Sequence, residues 1–352
     1  MINSLDLKNL TVFEELHLDF GGRLNVFVGP NGAGKSHLLK VLYSVLATSA
    51  RGPRETKETA PTKQYLQPAL ARKLTAVFRP DQLGRLARRQ AGRNRCEVAL
   101  SFDEPDLDIA FHLNTASKSE VLLTKVPATW VEKQPAFLPT RELLTTYPNF
   151  VSLYETTDLP FEETWRDTCI LLGAPLARGP RERHIRKLLE PIEDAMGGKI
   201  VLEDTGQFYL RTQTGNMEMH LVAEGLRKLA MVARLIATGS LLDKGFLFWD
   251  EPEANLNPAL ITRMASAIRA IGNNGVQVFI ATHSLFLLRE LYLLGDSDAR
   301  YFGLHFEGDG VQCTQGSSMD DIGNVAALEA EVAQSDRYLK LANAAGDGAT
   351  DS

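Results

Sequence analysis

The stretch Leu24-Asn-Val-Phe-Val-Gly-Pro-Asn-Gly-Ala-Gly-Lys-Ser36 decides the fold of this 352-residue chain. Its first five residues, Leu24–Val28, are mostly apolar and predict a buried central strand. The residues from Lys35 to Leu46 repeat leucine at helical spacing and predict a helix. Between them, Gly29–Ser36 matches the pattern of a glycine-rich phosphate-binding loop. A strand, this loop and a helix in that order predict an α/β core, and the correct flanks argue against a chance glycine turn.

Each residue type in this loop has a chemical reason. Asn31, Gly32 and Gly34 allow backbone N–H groups to converge on a β-phosphate, at the positive end of the following helix. Lys35 is expected to bridge the β- and γ-phosphates, and Ser36 to offer its hydroxyl to Mg²⁺. We therefore expect ATP and Mg²⁺ as cofactors.

Two further strands end in polar residues. Phe246-Leu-Phe-Trp-Asp-Glu251 is an apolar run that ends in two carboxylates. Asp250 is expected to hold the Mg²⁺ shell, and Glu251 to orient or deprotonate the attacking water. Val276–Ala281 is the next predicted strand, and His283 follows it, where a γ-phosphate sensor is expected. The alternatives are an acidic surface turn and a structural histidine.

The composition narrows the class of protein. The chain is 44% hydrophobic and 23% charged, as in an ordinary soluble domain. Its apolar runs have the length of strands and are too short to span a membrane. The first residues do not read as a signal peptide, and the three cysteines lack metal-ligand spacing. These features predict a cytoplasmic protein that has neither disulfides nor zinc and makes no membrane contact.

The chain divides into a core and an insertion. Thr48–Thr62 contains small and charged residues with Pro and Gly, which predicts a mobile loop. Pro127–Pro148 is rich in proline and is expected to be irregular. The predicted units are a nucleotide-binding core (1–51 and 221–315), an inserted β and helical lobe (52–220), a C-terminal helix (316–345) and a disordered tail (346–352).

Taken together, these motifs resemble the ABC-type ATPases. Within that class, the chain is similar to the SMC, RecF and OLD branch, which includes AAA-family anti-phage defence ATPases. The shared motifs, in chain order, are Gly29–Ser36, Asp250-Glu251, Asn255–Pro258 and His283. The opening Leu7–Phe13 and the segment Phe137–Glu142 add to the resemblance. It covers roughly the first fifty residues and about 221–284, and the middle of the chain only loosely.

The resemblance implies a fold and an activity. The fold is α/β, a P-loop NTPase with an ABC-type head that has a mixed-sheet core, an antiparallel β portion and a helical lobe. The implied activity is an ATPase that hydrolyses ATP to ADP and phosphate. It also implies a homodimer in which two heads close on ATP, with Asn255–Pro258 touching the partner head.

One motif departs from the family pattern. The ABC signature should open the helix before the Asp250 strand, and the matching stretch is Val222–Lys228. Gly225 is retained, but Ala223 stands at the serine position and Glu224 replaces the first glycine. Lys228, one turn beyond Glu224, is the residue that we expect to supply charge to the partner's γ-phosphate instead. Slow hydrolysis is one consequence, and an ordinary amphipathic helix is the alternative interpretation.

Three functions remain open at this point. The favoured one is an ATP-dependent switch that controls an effector protein, a nuclease or toxin, in prokaryotic anti-phage defence. The alternative is a RecF/SMC-like DNA-repair ATPase that acts on DNA. A transporter subunit is disfavoured by the altered signature and by the long span between Lys35 and Gly225. No nuclease motif follows His283, so the effector is expected on another chain.

A basic segment leaves nucleic acid open as a partner. Between Arg72 and Arg95 the charged residues are all Arg or Lys apart from Asp81, although the net charge of the whole chain is -6. Such local density is typical of contact with a phosphate backbone. A solvated helix face is the alternative. The residues expected to contact nucleic acid are Arg85, Arg88, Arg89 and Arg93.

Overall fold

The computed structural model of the protein describes residues 1–88, 94–178, 182–323, 334 and 336–338. Two residues of the predicted nucleic-acid contact, Arg89 and Arg93, lie outside the described residues. So do most of the predicted C-terminal helix and the whole predicted tail, 346–352.

The described chain contains runs of strands and runs of helices, which alternate one by one only from α6 to β13. The strands are β1 (Ile2–Leu10), β2 (Phe13–Asp19), β3 (Leu24–Val28), β4 (Arg95–Phe102), β5 (Ile109–Asn114), β6 (Leu122–Lys125), β7 (Pro135–Leu138), β8 (Lys199–Leu202), β9 (Phe208–Thr212), β10 (Gly215–Glu218), β11 (Phe246–Asp250), β12 (Gln277–Thr282), β13 (Ala299–Glu307) and β14 (Gly310–Gly316). The α-helices are α1 (Lys35–Thr56), α2 (Lys63–Phe78), α3 (Tyr147–Thr156), α4 (Glu163–Leu172), α5 (Glu182–Met196), α6 (Glu224–Ala237), α7 (Pro258–Asn273) and α8 (Leu285–Leu293).

A six-stranded mixed sheet forms the centre of the molecule, in the order β14-β13-β3-β12-β11-β7. Every neighbouring pair is parallel except β13 and β14. Strands β3 and β12 are buried along their whole length, because helices and sheets cover both faces. In a parallel sheet the carboxyl ends of the strands share one edge, so the segments after β3, β11 and β12 gather there.

The two faces of this sheet belong to different cores. Phe27, Phe248 and Phe279 face a core that also contains α1, α2 and the antiparallel sheet β2-β1-β4-β5-β6. Trp249 and Ile280 face the opposite core, which is built with α6, α7 and α8. Helix α5 and the three-stranded sheet β10-β9-β8 extend this second core. The mixed sheet, the antiparallel portion and the helical portion confirm the predicted fold class.

The prediction of a mobile loop over Thr48–Thr62 is wrong for its first half, because α1 continues to Thr56. The small residues permit close packing and do not end the helix. A Cβ added to Gly52 would lie 2.1 Å from Cζ3 of Trp130. Ser49 Oγ accepts the backbone N–H of Val131 at 3.0 Å.

The prediction of irregular chain over Pro127–Pro148 misses β7, which pairs in parallel with β11. Pro135 begins this edge strand, where the missing N–H costs no central ladder bond. Thr168 Oγ1 on α4 donates to the carbonyl of Phe137 at 2.5 Å. The core sheet therefore takes a strand from the predicted insertion, and the predicted core boundary at residue 51 falls inside α1. The division into units stays a prediction.

Candidate nucleotide-binding site

The glycine-rich loop joins β3 to α1 at the carboxyl edge of the central sheet. Gly32 and Gly34 have φ angles of 85° and 86°, in the left-handed region that glycine adopts at least cost. A Cβ on Gly34 would also lie 2.6 Å from Cζ of Phe13. Asn31 and Gly32 are exposed, so the loop presents its tip to solvent.

The Lys35 side chain lies inside this loop. Only 6% of Lys35 is exposed, and its Nζ donates to the carbonyls of Gly29 at 2.7 Å and Pro30 at 3.0 Å. Burial lowers the pKa of Lys35, although the nearby carboxylates of Glu251 and Asp250 oppose that shift. The buried ammonium therefore has only backbone carbonyls as direct partners within the described chain.

Ser36 and Asp250 come together from opposite ends of the sequence. Ser36 Oγ donates to Asp250 Oδ1 at 3.0 Å. Burial raises the pKa of Asp250, and the hydrogen bond from Ser36 offsets part of that rise. A hydroxyl and a carboxylate are hard oxygen donors of the kind that Mg²⁺ prefers, so the donor set fits that ion.

Glu251 and His283 meet because β11 and β12 are parallel neighbours, with Asp250 paired to Ala281. His283 Nδ1 lies 3.1 Å from Glu251 Oε1. The histidine side chain is 51% exposed and that of Glu251 is 27% exposed, so both groups can be reached by solvent. Glu251 itself has a left-handed φ of 46°.

Glu253 is a buried carboxylate at this site that the sequence reasoning missed. Thr282 Oγ1 donates to its Oε1 at 2.5 Å, and His283 Nδ1 lies 3.9 Å from the same oxygen. Its Oε2 has no hydrogen-bond partner within the described chain. The available signal was the position of this acid, two residues after Glu251 and directly after Pro252.

The start of α6 packs on the loop that follows β11. Asn255 Nδ2 donates to Glu224 Oε1 at 2.9 Å. A Cβ on Gly225 would lie 2.6 Å from the carbonyl oxygen of Asn255, so the close approach needs glycine. Ala223 precedes the helix without a side-chain cap. Glu224 and Gly225 thus lie beside Asn255–Pro258, the segment that is expected to touch a partner head.

Lys228 does not lie on the surface that was expected to face a partner head, because its side chain is buried. It is 2% exposed, and its Nζ donates to the backbone carbonyl of Glu251 at 2.5 Å. Burial lowers its pKa to about 8, although Glu253 and Glu251 oppose the shift. In this conformation the ammonium contacts the loop that follows β11 in its own chain.

The segment after β7 is also anchored to α6. Glu142 accepts the backbone N–H of Leu144 and the hydroxyl of Thr145, each at 2.8 Å. Its Oε1 lies 2.9 Å from Arg227 Nε in a nearly buried ion pair. Arg227 and Lys228 therefore connect α6 to the segments that follow β7 and β11, two neighbouring strands.

The basic segment is only partly available to a partner. Arg85 is exposed in a short 3-10 helix, Leu83–Leu86. Arg88 is 9% exposed, and its guanidinium donates to the carbonyl of Asp309 at 2.7 Å and lies 3.3 Å from Glu14. Arg88 thus holds the β13–β14 turn, which differs from the expected contact with a nucleic-acid backbone.

None of the helices in the described ranges combines the length and the apolar character needed to cross a membrane.

Short stretches of the chain are similar to RecF proteins. The chain is 36% identical over 55 residues to the DNA replication and repair protein RecF of Lactobacillus johnsonii (strain CNCM I-12250 / La1 / NCC 533). That match covers 16% of this chain and 15% of the relative. RecF of Streptococcus agalactiae serotype Ia is 33% identical over 64 residues, which cover 18% of this chain and 17% of the relative. The chain thus spans less than a fifth of these relatives.

Two solved SMC heads share the fold of this chain at low sequence identity. The SMC head domain from Thermotoga maritima superposes with a TM-score of 0.50 at 14% identity, covering 89% of this chain and 97% of that one. The Smc head from Pyrococcus furiosus, solved with the C-terminal domain of ScpA, has a TM-score of 0.54 at 13% identity. That match covers 96% of this chain and 99% of the other.

Two family models match the sequence. A model described as "AAA ATPase domain" matches residues 1–136, which include the phosphate loop. A second model, described as "AAA domain, putative AbiEii toxin, Type IV TA system", matches residues 101–289, more than half of the chain. This region contains Asp250, Glu251 and His283. The similarity to RecF proteins and SMC heads agrees with an ABC-type, SMC-like ATPase head. By the family models, the chain belongs to this family of AAA domains.

Proposed function

We propose that this chain binds ATP with Mg²⁺ and hydrolyses it, and that the nucleotide state acts as a switch on a partner protein. One observation carries the proposal. Ser36 from the phosphate loop lies 3.0 Å from Asp250, and Glu251, the next residue, lies 3.1 Å from His283. One edge of the sheet thus carries the glycine-rich loop, two oxygen groups suited to bind a metal ion, and a glutamate beside a histidine.

In this proposal the loop and Lys35 bind the phosphates. The carbonyls of Gly29 and Pro30 that now accept from Lys35 are neutral partners. Phosphate oxygens are charged and form stronger hydrogen bonds with an ammonium group than neutral carbonyls do. Lys35 would therefore turn from the carbonyls to the β- and γ-phosphates when ATP binds. The N–H groups of the loop and the first turn of α1 add a favourable dipole.

Ser36 and Asp250 would hold the metal ion, which neutralises charge on the phosphate oxygens when bound. Glu251 would orient the attacking water and accept its proton. His283 would donate a hydrogen bond to the γ-phosphate. Its contact with the Glu251 carboxylate would also hold that carboxylate in a fixed direction.

We further propose that two copies close on ATP as a two-fold dimer. Glu224 and Asn255 are both exposed and hydrogen-bonded to each other, so α6 and the loop after β11 offer one joint surface for the second head. A closed two-fold arrangement buries the same surface on both copies.

The proposed biological role is control of an effector in prokaryotic anti-phage defence. Its support is the toxin–antitoxin context of the family description, which calls the matched domain a putative AbiEii toxin of a type IV system. The effector would be a nuclease or toxin on another chain. A RecF-like role in DNA repair is the alternative, and of the four arginines expected to contact nucleic acid, Arg85 is the one that is both described and exposed. The cytoplasmic location stays a prediction.

The decisive experiment measures ATP binding and phosphate release by the purified chain. We expect the wild type to bind and hydrolyse Mg²⁺-ATP, and Lys35→Ala to lose ATP binding while remaining folded. Equal affinity of the two proteins in a titration would refute the site. Steep loss of nucleic-acid binding with added salt would favour the DNA-repair alternative, because such binding releases counterions.

A further inference from the structure

The loop that follows β11 holds two non-glycine residues in left-handed backbone conformation. Asn255 has a φ of 64°, which asparagine tolerates. Glu251 has a φ of 46°, which is costly for a glutamate. Such a conformation persists only where the surroundings fix it, and residues of this kind concentrate at functional sites. The contacts around Glu251 therefore show what sets its backbone.

Three hydrogen bonds fix the Glu251 backbone. Its N–H donates to the carbonyl of Ala281 on the neighbouring strand at 2.8 Å. Its carbonyl accepts the N–H of Ala254 at 3.1 Å and the ammonium of Lys228 at 2.5 Å. The first two bonds join backbone groups to backbone groups, so they do not depend on which side chains are present. Lys228 is the one side chain, among the described residues, that hydrogen-bonds the Glu251 backbone.

Lys228 is costly where it lies. It is 2% exposed and makes no ion pair within the described chain, because Glu253, Glu251, Asp250 and Glu224 act on it only at longer range. A buried cation without a paired carboxylate costs stability. Methionine would fill nearly the same volume at this position without that cost. The position of the charge is thus explained by what it donates to.

We propose that Lys228 is a positioning residue for hydrolysis, holding the Glu251 carbonyl so that the Glu251 carboxylate points toward the reacting water beside His283. The inference rests on the proposed function, because Glu251 is the base in that proposal. Lys228 touches neither water nor nucleotide in this account. It acts through the backbone of Glu251.

The experiment replaces the ammonium by an apolar group of similar shape, Lys228→Met. We expect kcat for ATP hydrolysis to fall at least about tenfold, since a misplacement of about 1 Å costs up to about a hundredfold. The KM for ATP and the ATP affinity should change less than about twofold, because the phosphate loop is untouched. Lys244→Met is the matched control. Burial also lowers the pKa of Lys244, which lines a separate cavity of about 80 Å³ with Arg51 and Asp167.

Three results of the kinetic and binding measurements would overturn the proposal. The first is an unchanged kcat together with an unchanged ATP affinity in Lys228→Met, and the second is an equal fall of kcat in Lys244→Met. The third is a loss of ATP affinity at constant kcat, which would make Lys228 a nucleotide contact. A crystal structure of Lys228→Met gives a readout that does not depend on hydrolysis. A Glu251 φ that leaves the left-handed region supports the proposal, and a φ that remains near 46° refutes it even if the wild type proves not to be an ATPase.

Discussion

Helix α1 carries a cluster of buried charge at each end, and the two clusters differ in how their charges are paired. At its start, Lys35 donates to backbone carbonyls, and its acidic neighbours are not in ion-pair contact within the described chain. Near its end, Arg51 lies 2.9 Å from both Glu163 and Asp167. Lys73 completes this second group, at 2.7 Å from Asp167.

This difference in pairing distinguishes the candidate binding site from a charge cluster that holds helices together. The charge cluster of Arg51, Lys73, Glu163, Arg166 and Asp167 satisfies itself and joins α1, α2 and α4. Tyr43 adds a hydroxyl donor to Asp167 at 2.5 Å. The phosphate-loop end leaves its charges with neutral partners, which a charged ligand can replace. Complete pairing therefore fits a structural cluster, and incomplete pairing fits the proposed binding site.

The largest expected effect on stability comes from breaking the charge cluster with Asp167→Asn. Among the described residues, Arg51 and Lys73 would keep only Glu163 as an acid in ion-pair contact. Removing one partner of a buried pair costs about 3–5 kcal/mol, and we expect a loss of that order in urea unfolding. The control is Glu155→Gln, which breaks the more exposed pair with Arg166 and should cost less than about 1 kcal/mol. Equal losses in the two variants would contradict the contrast.

At the site near the start of α1, Glu251→Gln should slow ATP hydrolysis and leave the free energy of unfolding nearly unchanged. A general base contributes about 10²–10⁴-fold, so phosphate release should slow by at least about a hundredfold. ATP and Mg²⁺ should stay bound, because Ser36 and Asp250 are unchanged, and the closed dimer should accumulate in light scattering with ATP. Hydrolysis at the wild-type rate would show that Glu251 is not the base.

The charge cluster should also be sensitive to acid. Burial raises the pKa of Asp167, but Lys73 and Arg51 outweigh burial and hold it well below the usual range. A carboxyl with a depressed folded-state pKa stabilises above its unfolded pKa of about 4, and that contribution is lost as pH falls toward the folded value. The stability gap between wild type and Asp167→Asn should therefore narrow below about pH 4. A gap that is constant from pH 6 to pH 3 would be inconsistent with this pKa.

The smallest expected change in stability is that of Lys35→Met. The ammonium has only carbonyl partners and pays a burial cost, so an apolar side chain of similar volume should change the free energy of unfolding by less than about 1 kcal/mol, in either direction. ATP affinity should be lost in the same variant. A destabilisation as large as that of Asp167→Asn would show that Lys35 is structurally paired.

Local sequence was sufficient where one short segment determines the outcome. The order strand, glycine loop, helix at Leu24–Leu46 required no knowledge of the rest of the chain. The meeting of Ser36 with Asp250 and of Glu251 with His283 follows once the strands are parallel, because their carboxyl ends share one edge.

The remaining features depend on contacts between distant segments. Residues 48–56 resemble a loop because they combine small and charged residues with a glycine and a proline, and the reason for the glycine is the distant Trp130, which packs on Gly52. Strand β7 has four residues and begins with proline, so its pairing with β11 leaves little local signal. The inward direction of Lys228 and the buried position of Arg88 are set by tertiary packing, which charge density along the sequence does not record.

The length of α1 has a mechanical consequence, although Pro53 removes one hydrogen bond near its end. Lys35 and Gly52 are about 26 Å apart along the helix, so the phosphate loop and the contact between Gly52 and Trp130 lie near its two ends. A hydrogen-bonded helix transmits an axial push with little compression. We expect a shift of the first turn of α1 toward a phosphate to reach the indole near the far end. A change in Trp130 fluorescence on phosphate binding would then report that the helix has moved.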